Sequence, residues 1–229
     1  MAAASSSSSR LLVSQLSSDD KKKLETLSTA DLCDAYGDRI QYLPQTFLHF
    51  GTKKHFCGYV ETVDCRVGSE SASEAPGAPS TSTTPRPPQQ LELDNSFVKK
   101  AVAVQRTRPT VLVVEGNGAT ATNAVVGDLI AKEAVKNGVV GFVVNGRIRD
   151  SAEMEKLDIG VKCLGTHPRK TKKADKGRLG GKLCSFGEVG GCCVVNSGDF
   201  LVADMDGVVV VTSSEGGSIC SSGGSSSKL

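Results

Sequence analysis

VLVVEGNGATATNAVVGDLIAKEAVKNGVVGFVVNGRIRD, residues 111–150, decides the fold. Val111 to Glu115 is a short valine-rich run suited to a strand buried on both faces, and GFVVN at 141–145 is a second. Between them DLIAKEAVKN places apolar residues at 130, 131, 134 and 135, which gives a helix one buried stripe. Asn137-Gly138 ends that helix, because the position after it needs a positive φ, and Asp128 beside Gly127 suits the positive end of the helix dipole. A tight turn is expected at Gly146, followed by Arg147-Ile148-Arg149-Asp150. The unit is βαβ, and it brings the loop before the helix and the segment after the second strand to one edge of the sheet. Asp128 and Arg149 are therefore expected to share that edge.

GDLIAKEAVKNGVVGFVVNGRIRD resembles the regulator of ribonuclease activity A (RraA) family, which includes the 4-hydroxy-4-methyl-2-oxoglutarate/4-carboxy-4-hydroxy-2-oxoadipate class II pyruvate aldolases. The family's Asp, followed after twenty residues by Arg-Asp, falls on Asp128, Arg149 and Asp150, with Glu153 three residues further on. LSTADLCDAYGD, LDIGVKCLGTHP and SGDFLVADMDGVVVV are similar to its other characteristic segments, so the resemblance covers most of residues 24–66 and 91–212. It implies an α/β domain of layered β/β/α swivelling architecture, assembling as a trimer or a pair of trimers. It also implies a lyase acting on pyruvyl-containing keto acids with Mg²⁺ or Mn²⁺. Asp150 is then the metal ligand, Arg149 the donor toward the enolate oxygen, and Asp128 the group that positions a proton-shuttling water. Backbone amides from Gly127 through Asp128 and Leu129 to Ile130 would hold the substrate carboxylate. Oxaloacetate decarboxylation would pass through the same enolate. The other class implied is a non-enzymatic regulator that binds and inhibits a ribonuclease through protein contacts, as the namesake bacterial members do. In the aldolases a helix after the last strand lends an acidic residue to the neighbouring subunit's site; here that region is a Gly/Ser tail whose one carboxylate is Glu215.

Each site residue also has a plain reading. Asp150 with Glu153 three residues on is a helix-capping pattern worth about 1 kcal/mol. Arg149 reads as a surface ion-pair partner of Asp128 or Glu153, and Asp128 as helix-dipole stabilisation alone.

Composition narrows the function classes. A net charge of +2 with 23% charged residues points to neither a nucleic-acid binder nor a membrane-surface protein. No apolar run approaches the ~20 residues a bilayer crossing needs. The eight cysteines lack CxxC spacing, and Cys33, Cys163 and Cys193 sit within apolar patterns as small hydrophobes, which suits a reducing compartment. No Trp and three Tyr leave little for base stacking. The three histidines are too dispersed for a zinc site.

Residues 1–20 read as a disordered leader, 21–212 as the domain, and 68–90 within it as a disordered insertion that has lost almost all apolar content. Ser28 with Asp31 starts a short helix, 56–67 alternates as a strand, and GDFLVADMDGVVVV is a hairpin. From 213 to 229 a Gly/Ser tail ends in Ser227-Lys228-Leu229, a peroxisomal import signal that a receptor reads; a peroxisome or a peroxisome-like organelle such as a glycosome is the expected address. Gly116, Gly118 and Ala121 satisfy a loose GxGxxA dinucleotide pattern, but the helix starts too late and no acidic residue ends the second strand. The stretch Arg169 to Lys182, seven Lys or Arg against one Asp, reads as a solvated loop rather than an RNA site.

Overall fold

The computed structural model describes residues 9–67, 92–186 and 193–214. The inserted segment 68–90, Glu215 and the Ser227-Lys228-Leu229 signal lie outside the described residues.

In chain order the elements are α1 (Ser18–Thr26), α2 (Thr29–Tyr36), β1 (Gln41–Tyr42), β2 (Leu48–Phe50), β3 (Phe56–Asp64), α3 (Ser96–Val102), β4 (Thr110–Glu115), β5 (Ala124–Val126), α4 (Asp128–Lys136), β6 (Val139–Ile148), α5 (Ser151–Met154) and β7 (Gly160–Thr166). Then come β8 (Arg178–Leu179), β9 (Lys182–Phe186), β10 (Cys193–Asn196), β11 (Phe200–Ala203) and β12 (Val208–Val211). The main sheet runs β1-β12-β11-β3-β4-β6-β7-β2, with β5 and β8 paired off that path to β6 and β3. Its centre, β3-β4-β6-β7, is parallel, and β11 and β2 flank it antiparallel. The expected βαβ unit is β4, α4 and β6.

Strand β4 shows why a continuous apolar run was needed. Leu112 and Val114 enter the layer beneath α3, α4 and α5, whereas Val111 and Val113 enter the opposite layer with Leu183, Phe186 and Val195 of the β9-β10 pair. Alternate residues thus feed two cores, which is the burial expected of a parallel strand covered on both faces. Helices on one side and a second β layer on the other give the β/β/α arrangement.

Two expectations change. Residues 10–20 are not a leader: Leu11 and Leu12 are buried, Leu12 bridges Thr212, and Ser17 starts α1 through a reciprocal capping box with Asp20. The physical reason is a third core, in which Leu11, Leu24, Leu32 and Tyr36 cover Phe200, Val202, Val209 and Val211. The charged run SDDKKKLET hid it, since Leu24 is that helix's one buried residue. Gly146 is not a turn either, because β6 continues to Ile148, paired with β5 and β7. A Cβ at Gly146 would sit 2.8 Å from the Gly116 carbonyl oxygen, so glycine is there for a close backbone approach. The β11-β12 hairpin matches its expectation, with Ala203 opposite Val208 and the Asp204 carboxylate accepting from the amides of Asp206 and Gly207. Among the described residues no helix is long and apolar enough to cross a membrane.

Candidate active site

The C-terminal ends of β4 and β6, with the start of α4, form the edge on which open α/β sheets place ligands. Gly127 ends the approach to α4 in extended backbone, and the Arg149 amide donates to the Val126 carbonyl at 3.0 Å, which ties the end of β6 to the start of the helix. A Cβ on Gly127 would lie 2.8 Å from Asp150 Oδ2 and 3.1 Å from Arg149 Nε. A larger residue at 127 would displace the Asp150 and Arg149 side chains, which pack directly over this backbone.

Asp150 adopts φ 57°, ψ 39°, a left-handed conformation that costs a non-glycine residue about 1 kcal/mol. Its carbonyl starts α5 by accepting from the amides of Glu153 and Met154 at 3.1 and 2.9 Å, yet its side chain makes no capping hydrogen bond. The carboxylate instead faces Arg149, with Nε to Oδ2 at 3.3 Å. The plain reading of Asp150 as a cap is therefore not realised.

Asp128 and Arg149 reach the same edge but do not pair with each other. Asp128 Oδ2 lies 2.7 Å from Lys132 Nζ, one turn along α4, and Glu153 pairs with Lys156. The Lys132 hydrogen bond is the main reason the Asp128 carboxyl is held below its ordinary range; burial opposes it, while the Leu129 amide and a hydrogen-bonding contact with the Asp150 carboxyl assist. Of the four amides expected to hold a carboxylate, that of Leu129 turns to the Asp128 side chain and that of Ile130 donates to the Gly127 carbonyl at 3.1 Å.

A cavity of about 270 Å³ opens beside this edge. Gly127, Leu129, Ile130 and Arg149 line it, whereas Asp128 and Asp150, expected as proton-shuttling group and metal ligand, are not among its lining residues. The opposite wall is Asn95, Lys99, Lys170, Thr171 and Lys173, none of which sequence reading assigned to the site. The basic stretch is not a freely solvated loop. Ala124 bridges Lys170, Asp94 bridges Lys172, and the buried Asp94 carboxylate accepts from the amides of Ala174 and Lys176. The one sequence signal was the Asp94-Asn95 pair at the start of α3, since buried Asp and Asn need partners.

The GNGATA loop is closed to a dinucleotide. Glu115 accepts from the Asn117 amide and from Asn145 Nδ2, each at 2.7 Å, and the Arg147 guanidinium donates to the carbonyls of Ala119, Ala121 and Thr166. Among the described residues no group of three or more His, Cys, Asp or Glu could enclose a metal. Asp128 and Asp150 nevertheless suit Mg²⁺ or Mn²⁺, which take one or two protein carboxylates and leave the other positions to water and substrate.

Residues 29–210 match the RraA-like family model, described as Aldolase/RraA, and the chain belongs to that family. A Marinomonas sp. (strain MWYL1) protein named "Putative 4-hydroxy-4-methyl-2-oxoglutarate aldolase" is 34% identical over 79% of this chain and 91% of its own length. A Pseudomonas fluorescens (strain SBW25) protein of the same name is 35% identical over 80% and 91%. The solved structure of the RNA-processing inhibitor RraA from Thermus thermophilis is 29% identical, covers 80% of this chain and 92% of that one, and superposes with a TM-score of 0.62.

Proposed function

We propose that this chain is a divalent-metal-dependent lyase that cleaves 4-hydroxy-2-keto acids of the 4-hydroxy-4-methyl-2-oxoglutarate type and decarboxylates oxaloacetate to pyruvate. One observation carries the reading: the Asp150 carboxylate, placed where a cap would be, makes no bond to the helix and lies beside Arg149, whose side chain lines a cavity. The names of the curated relatives support the same class of reaction.

Asp150 would hold Mg²⁺ or Mn²⁺ directly and Asp128 through water; when bound, the cation stabilises negative charge developing on the 2-keto oxygen. Arg149 contributes a second, already oriented donor to that oxygen, which costs no reorganisation as the bond breaks. In oxaloacetate decarboxylation the C3–C4 bond breaks, its electron pair passes into the pyruvate enolate, and carbon dioxide leaves. In aldol cleavage the same pair passes on as the 4-hydroxyl loses its proton and becomes a carbonyl. Lys132 keeps Asp128 ionised, so Asp128 accepts from a water that takes the proton or returns it to C3. Asp128's amide, one of the donors a helix start leaves without an intrahelical partner, faces the substrate carboxylate.

The regulator reading, in which the chain binds a ribonuclease through protein contacts, is favoured by the likeness to the Thermus inhibitor. In either reading a trimer or pair of trimers is proposed, and Leu129, 72% exposed at the cavity edge, is the apolar residue such packing would cover. Pyruvate release from oxaloacetate and from 4-hydroxy-4-methyl-2-oxoglutarate, with Mg²⁺ and with chelator, separates the readings. Metal-dependent release of pyruvate is expected; no release from either substrate would leave the regulator.

A further inference from the structure

A second groove lies at the other end of the sheet. Ala203 pairs with Phe56, the first residue of β3, so the β11-β12 turn sits at the N-terminal end of the parallel strands, opposite the catalytic edge. There α2, the end of β1 and the turn enclose a space of about 250 Å³. Ala30 and Cys33 of α2, Leu43, and Val208 and Val209 at the start of β12 give it apolar walls. The walls are tied together, because the Asp204 carboxylate in the turn accepts from the Thr29 amide at 2.6 Å and from its hydroxyl at 2.7 Å.

Large apolar side chains stand exposed at its edge. Tyr42, which lines the groove, is 65% exposed, and Met205, next to Asp206 in the turn, is 59% exposed. Single exposed apolar residues are ordinary, but two beside an apolar groove mark a surface that sheds water on contact with a partner.

Charge says what kind of partner. Residues 28–38 carry Asp31, Asp34 and Asp38, residues 199–212 carry Asp199, Asp204 and Asp206, and neither segment has a Lys or Arg, although the chain as a whole stands at +2. Asp34 and Asp206 are exposed, and neither forms an ion pair with a described residue. Buried Lys162 lies within electrostatic reach of Asp204 and Asp206 and offsets part of their charge. The remaining field reaches the groove wall: burial pushes the Cys33 thiol up, and the charges of Asp34 and Asp204 push it further.

We propose that this groove docks a basic segment of a partner protein, with an apolar side chain entering between α2 and β12 and flanking lysines or arginines meeting Asp34 and Asp206. The apolar anchor supplies most of the affinity, and the carboxylates supply orientation and a fast encounter. The inference stands whether the chain is a lyase or a regulator, since no residue of the groove belongs to the catalytic edge.

Fluorescence anisotropy with the full chain tests it, using a short labelled peptide whose central leucine-phenylalanine pair is flanked by lysines. Binding that weakens with salt is expected, and control peptides with glutamates for the lysines, or serines for the apolar pair, should bind weakly or not at all. Asp34→Asn/Asp206→Asn and Tyr42→Ser/Met205→Ser, all at exposed positions, should each weaken binding about tenfold. Hydrogen exchange on the wild-type chain should show peptide-induced protection at 29–34, 41–43 and 205–209. No binding, equal binding by wild type and both variants, or protection confined to residues 127–153 overturns the proposal. Two further outcomes assign the groove to another occupant and overturn it as well. Tighter peptide binding by a chain ending at Ser214 assigns it to the tail, and a smaller assembly for Tyr42→Ser/Met205→Ser in sedimentation assigns it to a second copy.

Discussion

Two helix starts with the same sequence signature behave differently. At α2, Ser28 lies in extended backbone, its hydroxyl accepts from the Asp31 amide at 3.1 Å and donates to the Asp31 carboxylate at 2.7 Å, and Asp204 adds a further anchor by accepting from the Thr29 amide and hydroxyl. At α5, Asp150 with Glu153 three residues on has an equally good pattern, but the backbone is left-handed and the carboxylate points to Arg149. The first start spends its polar groups on the helix. The second leaves the helix to its backbone carbonyl and frees a carboxylate, accepting local strain of the kind that gathers at functional sites.

The comparison predicts that substitutions at α2 change stability and those at the α5 edge change activity. Arg149→Lys keeps the charge but loses the planar, oriented guanidinium; turnover is expected to fall about 100-fold in a pyruvate-release assay with the melting temperature unchanged. Recovery of near wild-type turnover by lysine would show that charge alone suffices there.

Asp204→Asn leaves the buried Thr29 and turn amides with a poorer acceptor, and a loss of about 1–3 kcal/mol is expected at pH 7 by urea unfolding, with the site chemistry intact. Burial raises the Asp204 carboxyl, but hydrogen bonds from Thr29, Gly207 and Asp206 outweigh it, so its folded pKa lies below its ordinary value. That stability is present above the unfolded carboxylate range, near 4, and is lost as pH falls through the folded value. Unfolding curves of Asp204→Asn and wild type should therefore converge below about pH 4; a gap that stays constant into acid would contradict the assignment.

Smaller effects follow. Ser28→Ala should cost about 1 kcal/mol of stability and leave turnover within twofold. Glu153→Ala breaks an exposed, solvent-screened pair with Lys156, and the unfolding midpoint in the same assay should not move measurably.

The βαβ unit, the hairpin and the α2 cap were legible because each is written in local periodicity or spacing. The convergence of Gly127, Leu129, Ile130 and Arg149 on one cavity followed from topology. Three things were not legible. The extension of β6 through Gly146 depends on Gly116, thirty residues away, whose backbone it must touch. The ordered start at Leu11 depends on the outer face of β11 and β12. The lysine wall depends on Asp94, which pins residues 172–176 from far along the chain and turns what reads as a solvated loop into one side of a cavity. Each is a long-range pairing that short-range pattern cannot carry.

Asp150→Asn tests the contrast most directly, because asparagine caps a helix as well as aspartate does and tolerates the left-handed region, yet binds a hard cation poorly. Oxaloacetate decarboxylation titrated with Mg²⁺, read beside thermal melting, should show turnover reduced by about 100-fold or more and an unchanged melting temperature. Wild-type turnover in Asp150→Asn, or an equal loss of stability and activity, would contradict the assignment of this carboxylate to the metal.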